Sequence, residues 1–338
     1  MRGGSVVDAQ RRMTEILNGA VLVPLVAVAA ELGLADLVAD GPRTVAELAQ
    51  RSGSLPDPLY RVLRGLAAAG IFQETASRTF AATELSDTLR SGADSVRALA
   101  RLWGISERTS ALGHLGDTVR TGTPAFESVT GTDWWSHLAN HPEQAAVFND
   151  AMGYQVRRVH DATVSGYDLS GVRRLVDVGG GRGYLAAALL RRYPELTAVI
   201  FDQRAVVGEA ERVLDEAGVA DRAELVGGDF FDAVPEGGDV YVLSRILHDW
   251  DDERAGLILR NIRKAMAPQG RVLVVDAALT EGNHPDDGKV MDIVMLALHP
   301  GRERTLAEFG ALFATAGLHH ADTLALHGAA SIVVGVPV

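Results

Sequence analysis

The sequence predicts two domains, a mainly α-helical first half followed by an α/β domain built on a mostly parallel sheet. Its 338 residues exceed the usual size of a single domain. In the first half, apolar positions recur at the spacing of amphipathic helices. Beyond Gly171, short β-rich runs alternate with helical segments, which is typical of parallel strands covered by helices on both faces. We place the boundary at residue 160, which gives domains at 1–160 and 161–338.

Composition and charge argue against several classes of protein. A formal net charge of −12 argues against binding of duplex nucleic acid, which requires a concentrated positive surface. The absence of cysteine excludes disulfides, thiolate nucleophiles and cysteine-ligated zinc. The N-terminus lacks the apolar core and small-residue cleavage site of a secretory signal. We therefore expect a cytoplasmic protein.

One apolar run, Ala20–Ala30, needs its own explanation. It is too short to span a bilayer, contains Pro24 and runs into Glu31. We therefore expect a buried helix and no membrane association. The wider helix at residues 16–38 is too hydrophobic for a solvent-exposed face, which favours an oligomer.

The first half also contains a winged-helix pattern. The apolar spacing predicts helices at residues 8–39, 44–51, 56–70, 82–90 and 93–119. From Thr44 to Ser86 the order is helix, turn, helix and two short strands around Ser77–Arg78. A DNA-binding regulator would need positive side chains on the second helix, which offers only Arg61 and Arg64. DNA binding is therefore the less favoured interpretation of this module.

The strongest single motif is the glycine-rich loop in VDVGGGRGYLAAALL, with four glycines in five positions. It follows a predicted strand and precedes a predicted helix, where glycine lets the backbone turn and approach a ligand. A dinucleotide fingerprint beginning at Gly179 would require a third glycine where Tyr184 stands. A P-loop would require Ser or Thr after the pair Gly288–Lys289, but Val290 follows. The broken dinucleotide spacing disfavours a nicotinamide-dependent dehydrogenase.

Three aspartates end successive predicted strands and suggest what this loop binds. Asp177 precedes the glycines, where it can attract the amino or sulfonium end of a cationic ligand. Asp202 closes the next strand and can accept hydrogen bonds from ribose hydroxyls. Asp229 is followed by Phe230 and Phe231, which suit an adenine ring. Each aspartate alone is equally well explained as a turn or cap residue; three in succession favour a ligand site.

With these motifs the chain resembles the class I methyltransferases, and most closely the plant-type small-molecule O-methyltransferase family, including bacterial natural-product enzymes. The resembling segments are VDVGGGRG, VIFDQ, GGDFF, LSRILHDWDDE, GRVLVVD and HPGRERTLAEF. The resemblance implies a Rossmann-like methyltransferase domain with a mostly parallel seven-stranded sheet whose last strand is antiparallel. It also implies a preceding, mainly α-helical winged-helix domain that dimerises and covers the substrate, which makes a homodimer the expected assembly.

The resemblance implies S-adenosylmethionine as cofactor and S-adenosylhomocysteine as product. Together with Asp177, the expected cofactor-binding residues are Gly179, Gly181, Asp202, Asp229, Phe230, Ser244 and Arg245.

His248 is the candidate catalytic base because it follows a predicted strand at the ligand edge of the sheet. A phenol is mostly protonated at neutral pH, and histidine titrates close enough to neutrality to take its proton. The alternative is that His248 caps a helix and packs beside Trp250. The resemblance favours catalysis, since His248 matches the family's catalytic histidine. Glu303 and Asp276 match its flanking glutamates; because aspartate is shorter, Glu303 is the preferred orienting partner.

The remaining expectations concern the substrate, metals and competing chemistry. Candidate substrate-binding residues are Trp103, Trp135, Phe148, Asn149, Met152, Met291 and Met295, although methionines at helical spacing often belong simply to a core. The nine other histidines show no metal-ligand spacing, and the acids at 249, 251 and 252 suit a helix N-terminus. We therefore expect a metal-independent O-methyltransferase acting on a small aromatic hydroxyl compound. The alternative is a relative that keeps the cofactor site but hydroxylates or decarboxylates.

Overall fold

The computed structural model describes residues 3–92, 95–326 and 330–338. His327, one of the histidines considered above, lies outside the described residues. The chain forms two compact units. The first comprises Met1–Ser110 and Trp135–Gln155, and the second comprises Ala111–Trp134 and Val156–Val338.

The elements up to residue 166 are mostly helical. In chain order they are α1 (Gly3–Glu31), α2 (Leu34–Leu37), β1 (Arg43–Thr44), α3 (Val45–Ser52), α4 (Pro56–Ala68), β2 (Gln73–Ala76), β3 (Thr79–Ala81), α5 (Glu84–Asp87), α6 (Arg97–Trp103), α7 (Ser106–Gly113), α8 (Leu115–Thr121), α9 (Ala125–Thr130), α10 (Trp134–Asn140) and α11 (Pro142–Gly166).

The elements after residue 173 alternate between strand and helix. They are β4 (Arg174–Val178), α12 (Tyr184–Arg192), β5 (Thr197–Asp202), α13 (Arg204–Val207), α14 (Ala210–Ala217), β6 (Ala223–Gly227), β7 (Val240–Ser244), α15 (Asp252–Ala265), β8 (Arg271–Leu279), α16 (Asp287–Leu298), β9 (Arg304–Thr305), α17 (Leu306–Ala314), β10 (Leu318–Ala325) and β11 (Ala330–Pro337). Short 3-10 turns lie at Ala220–Arg222 and Leu247–Asp249.

The winged-helix prediction is confirmed. Helices α3 and α4 are followed by a small antiparallel sheet in the order β1-β3-β2. Thr44 caps α3 by accepting the Glu47 amide, while the Glu47 carboxylate accepts from the Thr44 amide. Leu48, Leu63 and Phe80 are fully buried in the core that these elements share.

Two of the long helices expected from the sequence are broken by identifiable residues. The segment 8–39 forms two helices because Gly33 adopts a left-handed conformation with φ 63° between α1 and α2. The segment 93–119 forms α6, α7 and α8, which are separated near Gly104 and His114. A Cβ on Gly104 would lie 2.6 Å from the Cβ of Ala27, so this glycine allows α6 to pack closely against α1.

The expectation that the run Ala20–Ala30 forms a buried helix is wrong for its first half, where positions 20–24 are exposed, whereas Ala27, Ala29 and Ala30 are buried. Met13, Ile16, Leu17 and Val21 are more than half exposed. The helical segment Asp8–Glu31 is also longer than the apolar run alone. Among the described residues it is the one helix whose length and hydropathy would suffice to cross a membrane. A row of exposed apolar side chains on one helix is typical of a surface that binds another molecule.

The strands of the main sheet run in the predicted directions. Its strands run β10-β11-β8-β7-β4-β5-β6, and the five from β8 to β6 are parallel. The last strand, β11, is antiparallel to both of its neighbours. Strand β10 does not read as a β-rich run in the sequence, because LHHADTLA is polar and lies at the edge of the sheet. The short strand β9 adds to the end of β8.

Each face of the sheet is covered by its own helices. Leu175 and Ile200 pack with α12 and α14 on one face. Val176 and Val274 pack with α15 and α17 on the other. Burial on both faces explains why these strands read as nearly continuous apolar runs. It also leaves the strand ends as the place where polar side chains are presented to a ligand.

The two compact units do not follow a single cut at residue 160. Helices α8 and α9, between residues 111 and 134, pack against α16 and so belong to the unit that contains the main sheet. This association follows from long-range packing, which the local sequence pattern does not encode. The chain therefore crosses between the units three times.

Candidate active site

Parallel pairing brings the predicted ligand residues to one edge of the main sheet. Asp177 lies opposite Ile200 of β5 and Val242 of β7 in the strand register. Ser244 lies opposite Val275 of β8. The carboxyl ends of β4, β5, β7 and β8 are therefore neighbours, as the strand–helix alternation predicts.

The glycine loop after β4 has the conformation that only glycine tolerates well. Gly179 and Gly181 have φ angles of 72° and 55°. A Cβ on Gly179 would lie 2.4 Å from Ile246 Cδ1, so a side chain cannot be added there without displacement. A Cβ on Gly181 would meet nothing within 4 Å, which leaves its surroundings open to a ligand. This loop is a cradle in which backbone can approach a bound group closely.

Asp202 fixes the loop from the end of the next strand. Its Oδ2 accepts the Gly181 amide at 2.8 Å, and its Oδ1 accepts the Gln203 amide at 2.7 Å. Burial raises the pKa of Asp202, and these two amides oppose that rise. A carboxylate with further acceptor capacity is thereby held beside the glycine loop.

Asp177 is the more deeply buried of the two acids. Burial and the neighbouring charge of Asp202 raise its pKa to about 7, while the Ala186 amide opposes the rise. Its Oδ2 has no hydrogen-bond partner among the described residues. Such an oxygen is suited to a donor group or a positive charge on a ligand, because burial without a partner costs free energy.

Asp229 and Phe230 lie at the end of β6, as predicted, but Asp229 is exposed. Its Oδ1 accepts the Phe231 amide at 2.8 Å, which is the turn role considered from the sequence. Phe230 joins an aromatic cluster with Phe231 and Trp250, at centroid distances of 4.8 and 6.0 Å. The three rings stand edge-on to one another and supply apolar surface beside the strand ends.

Ser244 is the last residue of β7 and Arg245 follows it, and each has a contact that the sequence did not reveal. The Ser244 hydroxyl lies 3.3 Å from Nε2 of the buried His160. Burial lowers the pKa of His160 to about 4, so this imidazole is neutral at physiological pH. Arg245 has φ 60°, an unusual conformation for a residue with a side chain, and lies 3.5 Å from Glu303.

His248 and Glu303 form a buried hydrogen bond at this edge. Nδ1 of His248 lies 2.8 Å from Oε1 of Glu303, and both side chains are almost completely buried. His248 comes from the 3-10 turn after β7, and Glu303 from the segment just before β9. Since a carboxylate on Nδ1 holds the proton there, Nε2 is the nitrogen with a lone pair. It lies 3.4 Å from Asp249 Oδ1.

Opposing effects set the pKa of His248. Burial lowers it, and the positive charge of Arg245 lowers it further. Together, the acids Asp249, Asp276 and Glu303 outweigh both effects, so the pKa of His248 is raised above its ordinary value. For Glu303, burial acts to raise the pKa, but His248, Arg245 and the Ala277 amide hold it below its usual value.

Asp276 does not share the role of Glu303. It is completely buried near the end of β8, and neither carboxylate oxygen has a hydrogen-bond partner among the described residues. Burial raises the pKa of Asp276 to about 6, with His248 opposing the rise. The aspartate side chain is shorter than that of glutamate, and among the described residues Asp276 makes no direct hydrogen bond to His248.

Arg304 anchors the turn that carries His248, a role that the sequence does not signal. Its buried guanidinium donates to the carbonyls of Leu247 and Trp250, both at 2.9 Å, and to Asp252. These contacts bracket His248 on both sides along the chain. Gly301 adds a steric requirement, since a Cβ there would lie 2.0 Å from the carbonyl oxygen of His248. The only signal in the sequence was the motif HPGRERT itself.

The predicted substrate residues fall in both compact units. Trp103, Trp135, Phe148, Asn149 and Met152 belong to the first unit, and Met291 and Met295 belong to the second. Within the first unit, Trp135 packs edge-on against Phe148 with centroids 5.7 Å apart.

Three of these residues have surroundings that refine their predicted role. Trp103 lies under the guanidinium of Arg108 at 4.1 Å, and burial lowers the pKa of Arg108 to about 10. On α16, Met295 is buried and Met291 is half-buried, so Met295 fits the core interpretation better. Their contact with a substrate remains a prediction.

Metal ligands do not cluster in the part of the chain that the structure describes. No group of three or more histidines and carboxylates is arranged to hold an ion there. Two of the acids considered from the sequence have structural partners: Asp251 caps α15 by accepting the Arg254 amide, and Asp252 binds Arg304.

Comparison with known proteins places this arrangement in a family. A model described as an O-methyltransferase domain matches residues 112–319, and one described as an O-methyltransferase dimerisation domain matches residues 14–92. A phenazine O-methyltransferase of Lysobacter antibioticus is 43% identical over 96% of each chain. One similar protein is named for another reaction: the aclacinomycin 10-hydroxylase of Streptomyces purpurascens, 36% identical over 86% of this chain and 79% of its own.

Solved structures share the whole fold. The mitomycin 7-O-methyltransferase structure has a TM-score of 0.94 and 36% identity, with 99% of each chain covered. An O-methyltransferase from neocarzinostatin biosynthesis, in complex with S-adenosylmethionine and 2-hydroxy-5-methyl naphthoic acid, has a TM-score of 0.84 and 35% identity over 94% of this chain and 96% of its own. By family models, sequence and fold alike, this chain belongs to the S-adenosylmethionine-dependent O-methyltransferases.

Proposed function

We propose that this enzyme methylates a hydroxyl group of a small aromatic compound, with S-adenosylmethionine as donor and His248 as general base. The observation that carries the proposal is the buried Nδ1–Oε1 hydrogen bond from His248 to Glu303, which directs the lone pair of the histidine to Nε2. A histidine that acts as a base is expected to have an acid beside it, which fixes the tautomer of the imidazole and stabilises the imidazolium.

The residues around the glycine loop suit this donor. Gly179 and Gly181 leave room for backbone to approach a ligand, and Asp202 has acceptor capacity for ribose hydroxyls. Asp177 carries a buried oxygen without a partner, which suits a donor or positive group of the same ligand. The aromatic cluster containing Phe230 offers a surface for a purine ring. When bound, the donor supplies an electrophilic methyl group on a positively charged sulfur.

The proposed reaction is an in-line displacement. A lone pair of the acceptor oxygen forms the new O–CH3 bond while the S–CH3 bond breaks and its electron pair stays on sulfur. The hydroxyl proton passes to Nε2 of His248. Glu303 stabilises the imidazolium that results. The products are the methyl ether, S-adenosylhomocysteine and one proton, which His248 later releases to solvent.

The phenolic class of acceptor is supported by two observations. The solved relative from neocarzinostatin biosynthesis was crystallised with a hydroxylated naphthoic acid. In this chain, the predicted substrate residues include the Trp135–Phe148 aromatic pair. Flat apolar walls with a few polar groups are the usual lining for such ligands.

The alternative is a relative that uses the cofactor site for hydroxylation, as the name of one similar protein indicates. Hydroxylation transfers no methyl group to a hydroxyl, so it does not require a buried base. The His248–Glu303 pair therefore favours methylation.

The matched dimerisation domain and the exposed apolar side chains of α1 support a homodimer. We further propose a cytoplasmic enzyme that needs neither a metal nor a nucleic-acid partner, consistent with the net charge of −12.

His248→Gln is expected to reduce turnover by about two to four powers of ten, because the hydroxyl loses its proton acceptor. The affinity for S-adenosylhomocysteine should change little, which calorimetry measures. The matched control is His319→Gln, which changes an exposed histidine on β10 and should leave turnover intact. Turnover by His248→Gln equal to that of the wild type would mean that positioning alone carries the reaction.

The pH profile tests the electrostatic role of Glu303. The base acts only when unprotonated, so kcat/KM should rise with pH through the pKa of His248. Glu303 is one of the acids that raise this pKa, and Glu303→Gln should therefore move the rising limb to lower pH while lowering the plateau. An unchanged limb, measured with the same acceptor, would contradict the assigned coupling.

Arg304→Lys tests whether the guanidinium positions His248. A lysine ammonium carries its three donors on a single nitrogen and cannot reproduce the spread of the guanidinium over two carbonyls and a carboxylate, so we expect kcat to fall by about one to two powers of ten. KM for the methyl donor should remain near its wild-type value. Arg302→Lys is the control from the same segment, because Arg302 is partly exposed and its guanidinium contacts the carboxylates of Glu308 and Asp252 rather than the carbonyls of the histidine turn. Equal losses in the two variants would show a general effect of the segment.

A further inference from the structure

His160 is a buried histidine whose position the proposed chemistry does not explain. It lies in the C-terminal part of α11 and contacts the last residue of β7, with its Nε2 3.3 Å from the hydroxyl oxygen of Ser244. Burial lowers the pKa of the imidazole to about 4, so the ring is neutral at physiological pH. A neutral imidazole has one N–H donor and one acceptor nitrogen, and its tautomer decides which of them faces Ser244.

The surroundings of the ring fix this tautomer. Nδ1 of His160 is sealed from solvent and has no hydrogen-bond partner among the described residues. Native proteins tolerate a buried acceptor without a partner more readily than a buried N–H. The hydrogen therefore belongs on Nε2, which donates it to the Ser244 hydroxyl oxygen. An oxygen that accepts this bond keeps its own hydrogen for a second partner, so Ser244 acts as a donor.

The strand register indicates which part of a ligand Ser244 faces. Asp177 of β4 lies opposite Val242 of β7, and Ser244 is two residues farther along, so Asp177 and Ser244 project from the same face of the sheet. Ser244 is partly accessible, unlike the three residues before it. Asp202, proposed for the ribose, lies on β5, on the far side of β4. Ser244 is therefore nearer to the acid proposed for the positive end of the ligand than to the ribose site.

We propose that His160 is a positioning residue: it holds the Ser244 hydroxyl so that its hydrogen points to the carboxylate of the amino-acid part of S-adenosylmethionine. The inference rests on the proposed function, which supplies this ligand. The amino-acid part carries one ammonium and one carboxylate. The ammonium suits Asp177, and the carboxylate suits a hydroxyl whose oxygen is already occupied as an acceptor. In this role His160 acts through Ser244.

Two ligands separate the amino-acid part from the rest of the nucleotide. S-adenosylhomocysteine carries it, and 5′-methylthioadenosine lacks it but keeps the adenine, the ribose and the sulfur. In calorimetric titrations, His160→Phe should weaken binding of S-adenosylhomocysteine about two- to tenfold, which is the cost of ordering one freely rotating side chain. Binding of 5′-methylthioadenosine should not change. An equal loss for both ligands, or no loss for either, would overturn the proposal.

A double-mutant cycle tests whether His160 acts through Ser244. Ser244→Ala should weaken binding of S-adenosylhomocysteine about tenfold or more, as expected for a hydrogen bond to a charged group. Adding His160→Phe to this variant should cause no further loss, whereas a further loss as large as that of the single His160→Phe variant would mean independent actions and would overturn the proposal.

Two other variants separate the N–H donor from the shape of the ring. His160→Gln, whose amide also carries an N–H, should restore most of the affinity that His160→Phe loses. Thr163→Val is the matched control, because it changes a buried hydroxyl in the same part of α11 that bonds to the Val159 carbonyl within the helix. This variant should retain both affinities.

Thermal unfolding of the ligand-free protein gives a second readout. His160→Phe removes a buried nitrogen that has no partner among the described residues, so the melting temperature should equal or exceed that of the wild type. A clear fall would show that the imidazole supports the fold rather than the hydroxyl, and would overturn the proposal. If S-adenosylhomocysteine fails to bind the wild-type protein, the proposed function fails, whereas equal losses for the two ligands contradict only the role of His160.

Discussion

The hydrogen bond between His248 and Glu303 is the interaction on which the rest of the site depends. Its two residues are 55 positions apart and meet only because β7 and β8 are parallel neighbours and β9 pairs with the end of β8. The acid is fixed through its own backbone, since the Glu303 amide donates to Asp292 at 2.9 Å. The histidine is fixed by Arg304, which binds the carbonyls on either side of it. A small change in either support would misplace the proposed base, and the cost of such errors in catalysis is high.

The same edge of the sheet concentrates polar atoms that the protein leaves without partners. Oxygens of Asp177, Asp276 and Glu303 and a nitrogen of His160 are buried there and lack hydrogen bonds among the described residues. In a sheet whose faces are packed with aliphatic side chains, these atoms are costly to bury. They are explained if bound molecules supply the missing donors and acceptors. Stability is thus given up locally where binding requires it.

Much of this arrangement could be predicted from the sequence because it follows local rules. The glycines after β4 and the acids at strand ends occupy positions that strand–helix alternation brings to one edge. The capped helices of the winged-helix module can also be predicted from the sequence, as Thr44 and Glu47 show. Pairing His248 with Glu303 required knowledge of the family, because nothing in the spacing of the two residues signals contact.

The rest depends on interactions that are distant in sequence. Arg304 reads as an ordinary surface cation within GRERT, yet it is among the largest fully buried side chains. His160 reaches Ser244 across 84 positions. The apolar content of α1 indicated an oligomer, but it did not show which of its residues are exposed, since a buried helix and an oligomer-forming helix have the same apolar content. Strand β10 was missed because its edge position permits a polar sequence.

The most direct test of the central claim is calorimetric titration of the purified protein with S-adenosylmethionine, S-adenosylhomocysteine and NAD. We expect that both sulfur nucleotides bind and that NAD does not, because the loop at Gly179–Gly183 lacks the spacing of a dinucleotide site and begins just after the buried Asp177. Failure of both sulfur nucleotides to bind the folded protein would contradict the account.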